Sequence, residues 1–279
     1  MNISRIIPSI AILLLICPLS AVAQTSGASH PLIEDTFLLG VGGFFPDKRF
    51  TIGVDGSVPG EEIDFDEIFR VDDSEATGAI QFRWRFGEKW SVQGQYWGVS
   101  DSGSSTLQED VHWEDVIFEA GTNIGAGIEV DVARVFFGRR FSAGPQHEFA
   151  LGLGLHWLEI SAYMEGQILS NQGDSEFYRG SVSADAPLPN IGGWYKYAWS
   201  PKWAFSARID WLDVSLDVYS GSLWNAQVGV NWAVFEHFGV TASWNFFSLD
   251  VDVDVDKSDW HGVAEITQDG PFLGLTANW

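Results

Sequence analysis

The sequence predicts an all-β protein, an antiparallel transmembrane β-barrel of about ten strands, with twelve as the alternative and eight less favoured. Three observations carry this: a two-residue alternation of membrane length that reverses polarity, a second segment with the same design, and short turns alternating with longer polar stretches. In residues 203–218, Trp203, Phe205, Ala207, Ile209 and Trp211 share one parity, followed by Asp213, Ser215 and Asp217. The other parity runs Ala204, Ser206, Arg208, Asp210, then Leu212, Val214, Leu216 and Val218. Successive strand side chains point to opposite faces. One face is therefore apolar between two tryptophans and then turns acidic. Nine residues at roughly 3.4 Å each, tilted by roughly 40°, span about 23 Å, close to the apolar band of a membrane barrel. From Phe238 the pattern recurs: Phe238, Val240, Ala242, Trp244 and Phe246, then Ser248, Asp250, Asp252 and Asp254.

The remaining elements follow in order. Residues 1–23 read as a secretory signal: Arg5 in the n-region, an apolar run from Ile10 to Cys17, and Ala21-Val22-Ala23 as an A-x-A cleavage site. Residues 24–36 form a short N-terminal segment, and 37–279 the barrel. Cys17 is the single cysteine, so no disulfide or thiol chemistry is expected after cleavage. No later segment reaches 18 uninterrupted apolar residues, and an exported chain without a spanning helix crosses a membrane only as a closed barrel. Fifteen Lys and Arg against 38 Asp and Glu give a net charge of −23, which argues against a nucleic-acid partner. Fourteen Trp and 20 Phe argue against disorder and suit aromatic girdles.

Turns fall at 87–89, 142–145, 200–202 and 235–237, and longer polar stretches at about 46–76, 100–124, 164–182, 219–222 and 251–262. Strands are expected near 37–45, 77–86, 90–99, 126–140, 147–163, 184–199, 203–218, 223–234, 238–250 and 263–279. A further hairpin of 49–55 with 62–69 would make twelve. The expected girdle comprises Trp84, Trp90, Trp157, Trp203, Trp211, Trp232, Trp244 and Phe246. Alternation is less regular in 126–140, 184–199 and the first strand.

The chain ends Gly270-Pro271-Phe272-Leu273-Gly274-Leu275-Thr276-Ala277-Asn278-Trp279, with Leu273, Leu275, Ala277 and Trp279 on one face. This resembles the terminal signal that outer-membrane proteins present to the barrel-assembly machinery. With Gly42-Gly43-Phe44-Phe45-Pro46, Arg83-Trp84-Arg85-Phe86-Gly87, Gly221-Ser222-Leu223 and residues 246–254, the chain resembles the small outer-membrane β-barrel proteins of Gram-negative bacteria, in particular a widespread uncharacterised barrel family. The resemblance implies a fold, an outer-membrane location, lipid and lipopolysaccharide as surroundings, and assembly machinery and periplasmic chaperones in transit. It brings no activity and no site residues.

Candidate constellations are few. Arg83, Arg85, Arg134, Lys196 and Arg208 face the expected lumen, with Asp210 beside Arg208. They form either an anion-attracting constriction or a salt-bridged plug. Small barrels are filled by their own side chains, which favours the plug. Asp250, Asp252, Asp254 and Asp256 suggest a divalent ion, but an EF-hand needs Gly and Glu where Val255 and His261 stand. On one strand face they are about 6.8 Å apart, too far for one ion. The expectation is a solvated strand extension, with weak divalent bridging to lipopolysaccharide phosphates as the alternative. The opposite parity, Leu249, Val251, Val253 and Val255 with Leu212, Val214, Leu216, Val218, Trp97 and Val99, lines an apolar interior above the membrane. This is a ligand vestibule or, preferably, a core packed against Ile63, Phe65, Ile68 and Phe69. His112 among Asp110, Glu114 and Asp115, and His261 after Asp259, are the candidates for a rim hydrolase, but adjacency alone does not make an acid–base pair. No G-x-S-x-G motif and no metal-ligating His pair is present, so no cofactor is expected. The acidic stretches 61–75 and 109–119 read as solvated loops. The function expected is a non-enzymatic structural or surface envelope protein, with a narrow anion-preferring channel and a rim hydrolase as alternatives.

Overall fold

In the computed structural model, the described residues are 30–55, 62–64, 76–113, 116–169, 175–215, 219–253 and 261–279. Residues 1–23, expected as a signal, most of the first loop, and Asp254 and Asp256 lie outside them. Ten strands close a ring: β1 (Phe37–Phe44), β4 (Thr77–Phe86), β5 (Trp90–Thr106), β8 (Asn123–Ala143), β9 (His147–Leu169), β10 (Ser175–Ser200), β11 (Trp203–Ser215), β12 (Tyr219–Ala233), β13 (Phe238–Val253) and β14 (His261–Asn278). All neighbours are antiparallel, and β1 pairs β14 from Leu38↔Asn278 to Phe44↔Phe272. Closure leaves no ring edge unpaired in lipid.

The expected extra hairpin exists but does not widen the ring. β2 (Asp47–Asp55) runs on beyond β1 along the upper half of β14, Asp47↔Asp269 to Asp55↔His261, and β3 (Glu62–Asp64) pairs β2. The break between β1 and β2 falls at Pro46, which has no N–H for the ladder. Gly270 faces this break; a Cβ there would lie 2.1 Å from the Phe45 carbonyl oxygen. Tight turns end the strands at one rim of the ring, with Gly87 at φ +61°.

The strands run further than the alternation alone suggests. β8, β9 and β10 have 21, 23 and 26 residues, about twice the roughly 9–11 that cross a bilayer. Stretches expected as loops, 100–106, 164–169 and 175–182, are strand. They carry no apolar outer face because they stand above the membrane band. The same reason explains the apparent irregularity of 126–140. In β8, Ile128, Val130 and Val132 point inward with Asp131 outside, and below them Arg134 points inward with Val135 and Phe137 outside. The polarity of the two faces inverts at one level, as it does at Trp211 and Leu212 in β11.

All eight expected girdle residues face outward and are exposed. At the turn end they meet in rows: Trp84 stacks on Phe37 and Phe37 on Trp279, while Trp199, Trp203 and Trp232 form a stacked series. Leu273, Leu275 and Trp279 also face out, whereas Phe272 turns inward at 3% exposure.

Candidate functional site

The described side chains fill the lumen in three layers, and the inward cations are divided between two of them. The lowest layer is built on the chain before β1. A short helix, α1 (Pro31–Glu34), starts where Pro31 presets φ and the Nδ1 of His30 accepts the Leu32 N–H at 3.0 Å. Leu32 and Ile33 bury against Leu38, Ala198 and Ala204. The carbonyls at the helix end have no partner of their own. Arg83 donates to the Leu32 and Asp35 carbonyls (2.8 and 3.1 Å), and Arg85 to those of Leu32 and Asp35 (2.9 and 2.8 Å) and of Ile33. Glu148 anchors this grip. It accepts from Arg85 at 2.7 Å, the Trp194 indole at 2.6 Å and Lys196 at 3.2 Å, with Arg140 at 3.6 Å. A carboxylate 1% exposed among three cations and an indole N–H is fully satisfied.

The middle layer centres on Asp210, reached from β8 by Arg134 in a two-pronged pair. Arg134 also lies 4.7 Å over the Phe136 ring. His156 is fully buried between two amides, Asn190 at 2.7 Å from Nδ1 and Asn225 at 2.8 Å from Nε2. The Asn225 oxygen accepts from Arg208 (3.1 Å), so its NH2 donates to Nε2. Asn190 Nδ2 also donates to the Leu188 carbonyl oxygen at 3.2 Å, which fixes its amide group against the ring. Arg208 makes its other bond to Gln95 (2.7 Å). Asp210 therefore pairs with Arg134, not with the sequence neighbour Arg208 that shares its face.

The upper layer is apolar. Phe44, Phe50, Trp97, Leu223, Phe247, Leu249, Ile266 and Phe272 pack together, and Trp97 donates to Gln268 at 3.0 Å. Above them sits a hairpin, β6 (Val111–Trp113) with β7 (Val116–Phe118). Its Trp113 and Phe118 are fully buried against Ile124, Ala126 and Met164. The apolar interior is thus a packed core, and the described part of its cover comes from the second loop. Phe65, Ile68 and Phe69 of the first loop lie outside the described residues.

On the outward-facing side of the extended wall, a groove of about 730 Å³ is lined by Lys48, Asp101, Glu129, Tyr163 and Arg179 among others. Lys48 pairs with Asp101 at 3.4 Å, and Arg179 lies 4.1 Å over the Tyr163 ring while pairing with Glu165 at 3.0 Å. Asp110 accepts the Ala120 N–H, and among the described residues no ion pair joins it to His112. Asp250 is exposed and opposite Glu265, and no described group of three His, Cys, Asp or Glu could hold a metal. The expected six-residue charge cluster is inward in every member but forms two groups: Arg83, Arg85 and Lys196 around Glu148, and Arg134 and Arg208 around Asp210 and His156.

Glu148, His156, Asn190, Asn225 and the 30–35 segment were not singled out as site residues from sequence. Parity alone marks Glu148 and His156 as inward, since Phe149, Leu151, Leu153, Leu155 and Trp157 alternate with them. That they meet Arg85 and Asp210 is set by pairing across the ring.

A closed ten-stranded ring with an apolar outer belt and a polar, filled interior defines the outer-membrane β-barrel fold. Solved structures agree: the chain is similar to the outer membrane protease OmpT of Escherichia coli at TM-score 0.60 and 10% identity, covering 88% of this chain and 97% of that one. Weaker likenesses are to the toluene transporter TodX of Pseudomonas putida (TM-score 0.37, 8% identity, 89% and 91% covered) and to Ail, the attachment invasion locus protein of Yersinia pestis (TM-score 0.30, 12% identity, 87% and 99% covered). No protein-family model and no curated protein sequence matches the chain.

Proposed function

We propose that this chain is an integral outer-membrane barrel with a structural or surface role in the envelope, exported through the signal at 1–23 and non-catalytic. Its surroundings are phospholipid and lipopolysaccharide. The observation that carries the reading is the filled lumen. The cations that would line an anion pore are held by Glu148, Asp210, side-chain amides and the carbonyls of α1. Side chains tied to one another in this way brace the wall and fill its interior. The non-catalytic part rests on the same engagement of the inward His and acids.

The test is a deletion strain assayed for both entry of a hydrophobic dye and uptake of small anions. Greater dye entry with unchanged anion uptake, restored by the wild-type chain, is expected. Reduced anion uptake with an intact dye barrier would replace this reading with the channel.

A further inference from the structure

Two lumen guanidinium groups have no carboxylate partner among the described residues. Arg83 bonds only backbone carbonyls, and Arg208 bonds only the amide oxygens of Gln95 and Asn225. Of the carboxylates of these two layers, Glu148 and Asp210 are taken by Arg85, Arg140, Lys196 and Arg134, and the carboxylate of Asp35, at the end of α1, makes no hydrogen bond to Arg83 or Arg208. A buried cation requires a counter-charge.

Both unmatched arginines line one cavity of about 80 Å³ between α1 and the middle layer, with Arg134 and Lys196 also on its wall. No Asp or Glu lines it. Three buried N–H groups on its lining residues, Arg83 Nε, Gln93 Nε2 and Arg208 Nε, have no hydrogen-bond partner among the described residues. Arg83 itself is 4% exposed.

We propose that this cavity binds a small inorganic anion of halide size. The wall supplies what such an ion needs: positive potential, N–H donors without competing acceptor charge, and shelter from bulk water. The space suits one small ion with a few waters, at about 10–15 Å³ per water, and excludes sugars and carboxylic metabolites. A bound anion would supply the missing charge and complete the donors of three strands at once, β4 through Arg83, β5 through Gln93 and β11 through Arg208. The inference goes beyond the envelope reading, because a plugged barrel can be filled with water alone at this level.

Bromide is the probe. The refolded chain from residue 24 onward is heated at constant ionic strength in sodium bromide or sodium gluconate, whose anion is too large for the cavity, and loss of the compact, fast-migrating form is followed. The midpoint should rise with bromide, and well above the dissociation constant the unfolding equilibrium should fall tenfold per tenfold bromide. Bromide-soaked crystals should show an anomalous peak beside Arg208. Arg208→Gln should abolish the bromide dependence; should that variant not fold, Gln93→Leu should weaken it severalfold. Equal midpoints in the two salts and no peak in the cavity would overturn the proposal, as would an undiminished bromide effect in the folded variants.

Discussion

Arg134 on β8 and Asp210 on β11 stand three strands apart in the ring yet meet across the lumen, with Arg134 Nη2 2.8 Å from Asp210 Oδ1 and both side chains essentially unexposed. Removing one partner leaves the other charged and buried. Asp210→Asn should therefore cost about 3–5 kcal/mol in urea unfolding from lipid vesicles. Replacing both, Arg134→Met with Asp210→Leu, should recover most of the loss, because a buried pair is often no better than apolar packing. A single variant as stable as wild type would show that the pair is not part of the wall bracing.

The α1 segment should undock on acidification. Burial pushes the His30 imidazole below its usual pKa of 6.5, and the nearby Arg83 charge acts the same way, while the Lys202 and Asn231 carbonyls oppose it. His30 also accepts the Leu32 N–H through Nδ1, the atom a proton would occupy. A lowered pKa means that docking is at full strength above pH 6.5 and weakens as pH falls from 6.5 toward the shifted value. Protease trimming of residues before Phe37 should be faster at pH 5 than at pH 7.5. His30→Asn, which keeps an N-cap acceptor without titrating, should flatten the difference. Equal rates at both pH values in the wild type would contradict this account of the plug.

The outward face should tolerate bulk and reject charge. Leu153 is 66% exposed in the middle of the apolar run of β9. Leu153→Arg should cost about 2–4 kcal/mol in vesicles, as expected near the bilayer midplane, while Leu153→Phe should change little. An arginine accepted there without loss would place this level outside the hydrocarbon.

Trp113 should hold the cap independently of the barrel. Its side chain is fully buried beneath β6 and β7. Trp113→Ala should cost about 3–5 kcal/mol, felt locally. Hydrogen exchange should quicken at 111–118 and the upper ends of β8 and β9, with the membrane-level strands unchanged. Uniform acceleration would mean that the cap and barrel unfold as one unit.

These elements differ in how readable they were from sequence. The lipid face was legible because its signal is local: Trp203 to Trp211 and Phe238 to Phe246 alternate strictly, and parity decides their direction. The strand extensions of 100–106 and 175–182 were hidden because, above the membrane, neither face needs an apolar run. The inward position of the cations was legible, but their partners were not. Arg208 and Asp210 sit two residues apart on one face and look like a pair, yet strand side chains of one parity stand side by side, and the longer reach to Arg134 and Asn225 wins. The α1 plug left no periodic trace, being four residues long; its evidence is a pair of arginines whose acceptors are backbone carbonyls. The Trp113–Phe118 hairpin lay within an acidic stretch whose charges masked the alternation of Val111, Trp113, Val116 and Phe118.

The central claim is that the lumen is filled by its own side chains. Single-channel recording of the refolded chain from residue 24 onward in a planar bilayer under a salt gradient tests it most directly. The account predicts no discrete current steps from protein shown to be folded by its heat-modifiable migration, and none after charge reversal of Arg208. Steady steps with anion preference, altered by Arg208→Glu, would contradict it.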